Sequence, residues 1–413
     1  MRNIGTLYLY ELKKIANRKI VWIVSLIILS LCAFLSVSDL VSTSSFYGDT
    51  EISGYEAMKI NRDNAMSFSG RTLNDDLLQE MQENYSDEST AETSTQTFTS
   101  DGQVTVSIGN AEDDQDNTIL KYAPIYSYVQ QITEDSDLTL SINSSDLYSM
   151  REKAIYQNRS DQMLTEAEFN YWEGKESLIK KPFVYEYVDG WSNLWEYAYT
   201  INYLVFLVLA ICLSNVFSVE YSRKTDSIIM CSKYGKKQVY FAKILAGATF
   251  STISAILIFG IALLSSVLVY GTNGLFSALQ IAFPLSSWNV SVGESILILL
   301  LTLIVISVLY GSMIMFLSEV LKNNVAVMAI PVGIMVLTMM VDVPYQFRLA
   351  SQIYDLLPTN LLTKWELWDD RLIAICGRYF ANYQVAPVVY LVVALLLIAI
   401  GKVIYQRHQV QAR

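Results

Sequence analysis

Histidine is almost missing from this 413-residue chain: the single copy is His408, in the C-terminal tail. That excludes His-based catalytic triads and most zinc sites, which need imidazole as base or ligand. No G-x-x-x-x-G-K-[S/T] run occurs, so the chain has no P-loop with which to cradle a nucleotide. Cysteine is scarce too. Cys32, Cys212, Cys231 and Cys376 all lie outside 41–197, so that segment holds no internal disulfide and depends on a packed core, which about 150 residues can supply. Charged residues make up only 17% of the chain, and few fall within its apolar runs. Asp39, Glu294, Glu319, Lys243 and Lys402 sit at the ends of those runs, where snorkelling or interfacial water serves them. Ion-coupled pumps need ionisable groups near mid-membrane, so a self-powered transporter of that kind is disfavoured. Asn215 and scattered Ser and Thr are the main polar groups inside the runs, and such residues more often join helices than bind ions.

What is abundant is apolar. Hydrophobic residues reach 52%, and mean hydropathy is +0.31, which points to several membrane spans. The net charge of −11 conceals a split: residues 41–197 carry 10 Lys and Arg against 29 Asp and Glu, and the remainder carries 19 against 11. An acidic soluble domain is therefore inserted into a membrane part with basic edges. A spanning helix needs about 20 mostly apolar residues. Six stretches meet this: Ile20–Val37, Asn202–Val219, Phe241–Tyr270, Ser295–Leu317, Val325–Val341 and Pro387–Ile404. The fifth is short and contains Pro331, which predicts a kink or a partly re-entrant course.

Basic short loops stay in the cytoplasm. Arg2, Lys13, Lys14, Arg18 and Lys19 precede the first span, and Arg223, Lys224, Lys233, Lys236 and Lys237 lie between the second and third. Lys322 follows the fourth, and Lys402, Arg407 and Arg413 end the chain. The loop GTNGLFSALQIAFPLSSWNVSVGE (271–294) has no basic residue. Both termini are thus expected inside, and the acidic domain outside. A cleaved signal peptide is disfavoured, because Leu31 precedes Cys32 where a lipobox wants a small residue, and no A-x-A site follows. Ahead of the first span, Ile4, Leu7, Tyr8, Leu12 and Ile15 recur at helical spacing with the lysines off that stripe, an amphipathic segment suited to the inner leaflet.

In the acidic domain, Ser53–Met66, Asn74–Asn84 and Leu147–Leu178 have helical periodicity, and 89–110 reads as a polar loop or small hairpin around QVTVSI. AEDDQDN (111–117) lacks the glycine and distal glutamate of a calcium loop and reads as a solvated turn. The domain ends in KPFVYEYVDGWSNLWEYAYTINY, whose Trp191 and Trp195 suit an interfacial belt.

The stretch from Glu220 to Gly247 carries a dense basic patch between two apolar runs. Thr225 or Asp226 can cap a short helix, SIIMCSKY, ending at Gly235 as a left-handed cap. Its exposed aliphatic residues and basic rim suit either insertion into a groove on a partner or a seat on lipid headgroups.

FSVEYSRKTDSIIMCSKYGKKQVYFAKILAG (217–247) resembles the first cytoplasmic loop of bacterial ABC transporter permeases of the second exporter type (the ABC-2-type family). The matching positions are Phe217, Glu220, Thr225, Ile228, Ile229, Ser232, Gly235, Lys236, Ala242 and Lys243. Lys224 stands where many members have Gly, and Lys236 where Arg is commoner. Gly190–Trp191, LLPTNLL (356–362) and the basic N-terminus agree with the resemblance. It implies a coupling helix docked on a separate ABC ATPase, in a dimer of permeases, homo- or heteromeric, on two ATPases. The docking residues would be Glu220, Arg223, Lys224, Thr225, Asp226, Ile228, Ile229, Ser232, Tyr234, Gly235 and Lys236, with Glu220 fixing the loop at the membrane edge. Lys13, Lys14, Arg18, Lys19, Trp191, Trp195 and Lys243 would lie at the membrane interface.

These readings combine into a mainly α, six-span helical membrane protein with a large mixed, mostly helical extracytoplasmic domain between spans 1 and 2. Its parts are an interfacial helix (1–19), span 1 (20–40), the extracytoplasmic domain (41–198) and spans 2–6 (199–413), with a coupling loop at 220–240 and an external loop at 342–386. The expected function is the permease of an ATP-driven exporter in a Gram-positive plasma membrane, moving a peptide antibiotic, lantibiotic or lipid-like compound. No cofactor is expected on this chain, ATP and Mg belonging to the partner, and no nucleic acid. The alternative is an ATPase-coupled sensor or force transmitter acting through the external domain. An unpowered channel or anchor would leave the loop motif without a role.

Overall fold

A computed structural model of the chain describes residues 2–42, 44–47, 50–86, 94–98, 104–108, 113–133, 139, 141–341, 343–363 and 369–407. His408, Arg413 and parts of the 89–110 and 111–117 readings lie outside the described residues. The chain is mostly helical and divides into two compact units: Met1–Ala33 with Glu196–Leu264 and Leu297–Arg413, and Phe34–Trp195 with Ser265–Ile296.

Four helices among the described residues are long and apolar enough to cross a membrane: Ala198–Ser222, Gln238–Tyr270, Val292–Leu321 and Asn382–Arg407, the second and third of which end and begin in the other unit. A fifth is reached if Ile4–Ala16 and Lys19–Leu35, bent by 65° at their junction, count as one span. Of the six expected spans, the first and fifth are the short ones. Lys19–Leu35 and Asn324–Met340 have 17 residues each, at the lower limit of about 17 for crossing the hydrocarbon core. Pro331 lies inside a continuous Asn324–Met340 helix, which Asn323 starts by accepting hydrogen bonds from the N–H groups of Val325 and Ala326.

The helix at 198–222 breaks at Ser214, between Ala198–Leu213 and Asn215–Ser222. The break is satisfied from a neighbouring helix: Ser318 Oγ donates to Ser214 O at 2.6 Å and accepts from the N–H groups of Phe217 and Ser218. Backbone groups freed in an apolar region need such partners. Beyond Asn324–Met340, Asn202 donates to Pro358 O at 2.7 Å, and Arg371 is buried against Asp355 and Asp369. These contacts pin the LLPTNLL turn, and the hairpin Leu372–Ile375/Arg378–Ala381 follows it.

The second unit is a helical cluster with small antiparallel hairpins. Its helices include Gly54–Phe68, Asp75–Ser86, Asp113–Thr133, Ser144–Asp161 and Glu166–Glu176. Ser53 and Glu56 form a reciprocal capping box at the first of these. The expected hairpin is present, pairing Ser94–Phe98 with Val104–Ile108. Residues 113–117 are corrected from a solvated turn to the first turn and a half of Asp113–Thr133. Further along the helix, Ile125, Val129 and Ile132 are buried. The loop 271–291 is no plain connection either. Arg151, fully buried, donates to Pro284 O at 2.6 Å and Ser286 O at 2.8 Å and pairs with Glu176 at 2.5 Å. Trp172 and Trp288 stack edge to face at 5.0 Å.

Trp191 and Trp195, expected in an interfacial belt, are instead core residues. Their ring N–H groups donate to Asn273 O at 2.7 Å and Ser295 Oγ at 3.0 Å. A buried indole needs an acceptor, and the 271–295 segment supplies both. Gly190 precedes Trp191 because its backbone lies against Tyr270, where a side-chain Cβ would come within 2.7 Å of the tyrosine's.

Burial opposes ionisation of Glu176, but Arg151, with help from Ser287 and Lys181, outweighs it and holds the carboxyl below the ordinary 4.5. A lowered folded value stabilises fully above the unfolded pKa and is lost as pH falls through the folded one. Arg151→Ala should therefore lower stability by about 3–5 kcal/mol, the usual loss when a buried pair is broken. The penalty of Glu176→Gln should shrink as the pH drops below 4.5. Denaturant melts of the purified protein across pH measure both.

Candidate functional site

The basic loop between the second and third apolar helices is built on a charge cluster that the apolar pattern of the sequence conceals. Lys243 lies in the second turn of Gln238–Tyr270, where its ammonium is fully buried. Its Nζ donates to Glu220 Oε1 at 2.6 Å and to Val216 O at 2.7 Å, and it sits 5.0 Å from the centre of the Phe217 ring. Lys14, from the N-terminal helix Arg2–Ala16, reaches the same Glu220 oxygen at 2.9 Å. Glu11 adds a second carboxylate, 3.5 Å from Lys14 and 3.8 Å from Lys243. Two carboxylates thus face two ammonium groups, and three helices are joined.

The membrane-interface expectations divide here. Lys13 and Lys19 are exposed. Lys14, Arg18 and Lys243, expected at the same interface, are engaged within the protein, Lys14 and Lys243 on Glu220 and Arg18 on backbone carbonyls. Arg18 donates to Cys212 O and Asn215 O, both at 3.4 Å, at the break in the 198–222 helix. The predicted stripe of the N-terminal helix packs on the chain itself. Ile15 is buried and Tyr8 donates to Thr249 Oγ1 at 3.1 Å, while Leu9 and Tyr10 are exposed. The lysine off the stripe at 14 finds Glu220 because that carboxylate is buried and needs a counter-charge.

Past Ser222 the chain turns at Arg223 and Lys224, both exposed, and Lys224 takes φ +55. This explains how the sequence departs from its pattern: the position wants a left-handed residue, which glycine supplies freely. Thr225 closes the turn by donating its N–H to Glu220 O at 3.0 Å, so the loop's first residues hang from the buried glutamate. Helix Asp226–Cys231 follows. It is shorter than the expected SIIMCSKY. Thr225 stands at its N-cap, but its hydroxyl points back to Glu220 O, and Asp226 occupies the first turn.

Ile228 is 74% exposed, Ile229 half-buried and Met230 buried, so the helix is anchored by one apolar residue and presents another. Ser232 ends it, its hydroxyl donating to Ile229 O at 2.7 Å. Gly235 is corrected from a left-handed cap. It does not have positive φ, and it is needed because a Cβ there would lie 1.8 Å from Ile229 O. Tyr234 is half-buried under Lys233, and Lys236 and Lys237 are exposed, so the same loop presents Ile228 and several cations to solvent.

Sequence reasoning missed Glu11, the pairing of Tyr221 with Glu319 at 2.6 Å, and Lys322 over the Tyr221 ring at 4.6 Å. Glu11 had a signal: it is the one acid in the first 38 residues, among five basic ones. Among the described residues no group of His, Cys, Asp and Glu could hold a metal ion, and none of the four cysteines forms a disulfide.

Glu220→Ala would leave Lys243 buried without its carboxylate and should cost about 3–5 kcal/mol. The double variant Glu220→Gln/Lys243→Met should recover more than half of that loss. Urea melts of the four members of the cycle give the coupling.

A family model described as ABC-2 family transporter protein matches residues 6–409, nearly the whole chain and both units. The curated proteins contain no match.

Proposed function

The chain belongs to the ABC-2 transporter family, which makes it a multi-pass membrane permease subunit, and we propose that it couples to a separate ATPase through the loop at 220–240. Exposed Ile228 carries this reading, because it is held out on a loop whose base is fixed by the buried Glu220–Lys243 pair. An exposed aliphatic residue on a loop rich in exposed cations fits an apolar groove bordered by acidic residues, as when a helix docks in a partner's groove. Arg223, Lys224 and Lys236 are the exposed cations placed to meet such a border.

In the full proposal, two permeases stand on two ATPases, and ATP and Mg are held by those partners. Both chain termini and the 220–240 loop face the cytoplasm, and residues 41–198 lie outside the cell, consistent with the distribution of basic residues. All six apolar stretches cross the membrane, the short first and fifth helices included. The work done is export of an amphipathic compound from a Gram-positive cell.

A second reading, transmission of force to the outside without cargo, is favoured by one observation. The ends of two long apolar helices, Ser265–Tyr270 and Val292–Ile296, belong to the same compact unit as the acidic segment, so a pull on either helix enters that unit directly.

Ile228→Asp should abolish co-purification with the ATPase encoded beside this chain, while the permease keeps its melting point and its amount in the membrane. Retention of the ATPase by this variant would refute the docking assignment.

A further inference from the structure

The second unit contains a half-open cavity of about 410 Å³ between helices Ser144–Asp161 and Glu166–Glu176, within the range of small-molecule sites. Ile155, Tyr156 and Phe169 form its apolar wall, and the last two rings lie 5.2 Å apart. Five charged residues line it: Glu152, Glu173, Glu176, Arg159 and Lys181.

Which of these charges are already engaged decides what the cavity can hold. Lys181 Nζ bridges Glu152 Oε1 at 2.7 Å and Glu176 Oε1 at 3.1 Å. Glu176 Oε2 accepts from Ser287 Oγ at 2.9 Å. Arg159 is buried, donates to Ser287 Oγ at 2.6 Å and lies over the Trp172 ring. Both cations are therefore occupied. The polar groups left without a partner among the described residues are the Glu173 carboxylate and the Tyr156 hydroxyl, beside the two rings. An anion would find no free cation here. A cation would find the Glu173 carboxylate and two aromatic rings, the combination that holds organic ammonium groups. The bridging Lys181 ammonium is the protein's own example of a cation seated among these carboxylates. The surrounding 41–197 segment, with 29 acidic residues against 10 basic, raises the local concentration of such ligands.

We propose that this cavity binds an amphipathic organic cation, its charged head on Glu173 and its apolar body against Tyr156, Phe169 and Ile155. The site stands on the geometry of the second unit alone, and needs neither the ATPase nor the docking role of Ile228.

Isothermal titration of the full-length protein in a non-ionic detergent tests it, with benzyltrimethylammonium as probe and benzenesulfonate as anionic control. One saturable site per chain is expected for the cation and none for the sulfonate. Glu173→Gln, at an exposed position that tolerates change, should weaken binding about tenfold, as loss of a charged partner does. Phe169→Leu should weaken it severalfold. No saturable uptake of the cation through the millimolar range, equal uptake of the sulfonate, or unchanged affinity in Glu173→Gln would each overturn the proposal.

Discussion

A lysine ammonium without exposed surface is the constraint from which the first unit's organisation follows. Removing such a charge from water costs several kcal/mol even after relaxation, so Lys243 must be met by groups that replace its hydration. Glu220, Val216 O and the face of Phe217 do so, and all three come from one short helical segment, Asn215–Ser222. Lys14 and Glu11 then balance the charges from the N-terminal helix. The cluster fixes the angle at which the 223–237 loop leaves the helices. A loop that hung freely would spend its binding energy on ordering; one fixed at its root presents Ile228 already placed.

The second unit solves a similar problem with arginine. Arg151 and Arg159 are buried, and their planar guanidinium groups satisfy backbone carbonyls and hydroxyls of the 284–287 segment, which has no regular structure to satisfy them itself. Indole N–H groups do the same at Asn273 and Ser295. An irregular connection between two apolar helices is thereby made part of a packed core. The ligand cavity borders this network and shares Glu176 with it.

How far the sequence could be read depended on the range of the signal. Long apolar runs and the clustering of basic residues are local patterns, and the helices at 198–222, 238–270, 292–321 and 382–407 fall where the runs predict them. In the acidic part periodicity located Gly54–Phe68 and Asp75–Ser86, but it ran Ser144–Asp161 and Glu166–Glu176 together as one segment and missed Asp189–Glu196 and Asp113–Thr133, whose acidic opening looked like a solvated turn. The roles of charged and aromatic side chains were much less legible. Lys243 and Trp195 occur where a snorkelling lysine and a belt tryptophan would, and only partners 23 and 100 residues away make them core groups. Gly235 had the right residue for the wrong reason: spacing suggested a left-handed cap, and the need is room beside Ile229 O. In the 220–240 segment, the loop pattern singled out Glu220 and the exposed Ile228, but not the N-terminal helix whose Lys14 pairs with Glu220.

The central claim is that the helix at 226–231 meets a protein and not the lipid surface. A photo-crosslinking amino acid placed at position 228, in cells that also make the neighbouring ATPase, distinguishes these directly. The account predicts a crosslinked product containing a P-loop ATPase from position 228, and none from position 395, an exposed apolar site in the middle of Asn382–Arg407. Crosslinks from position 228 to lipid alone would contradict it.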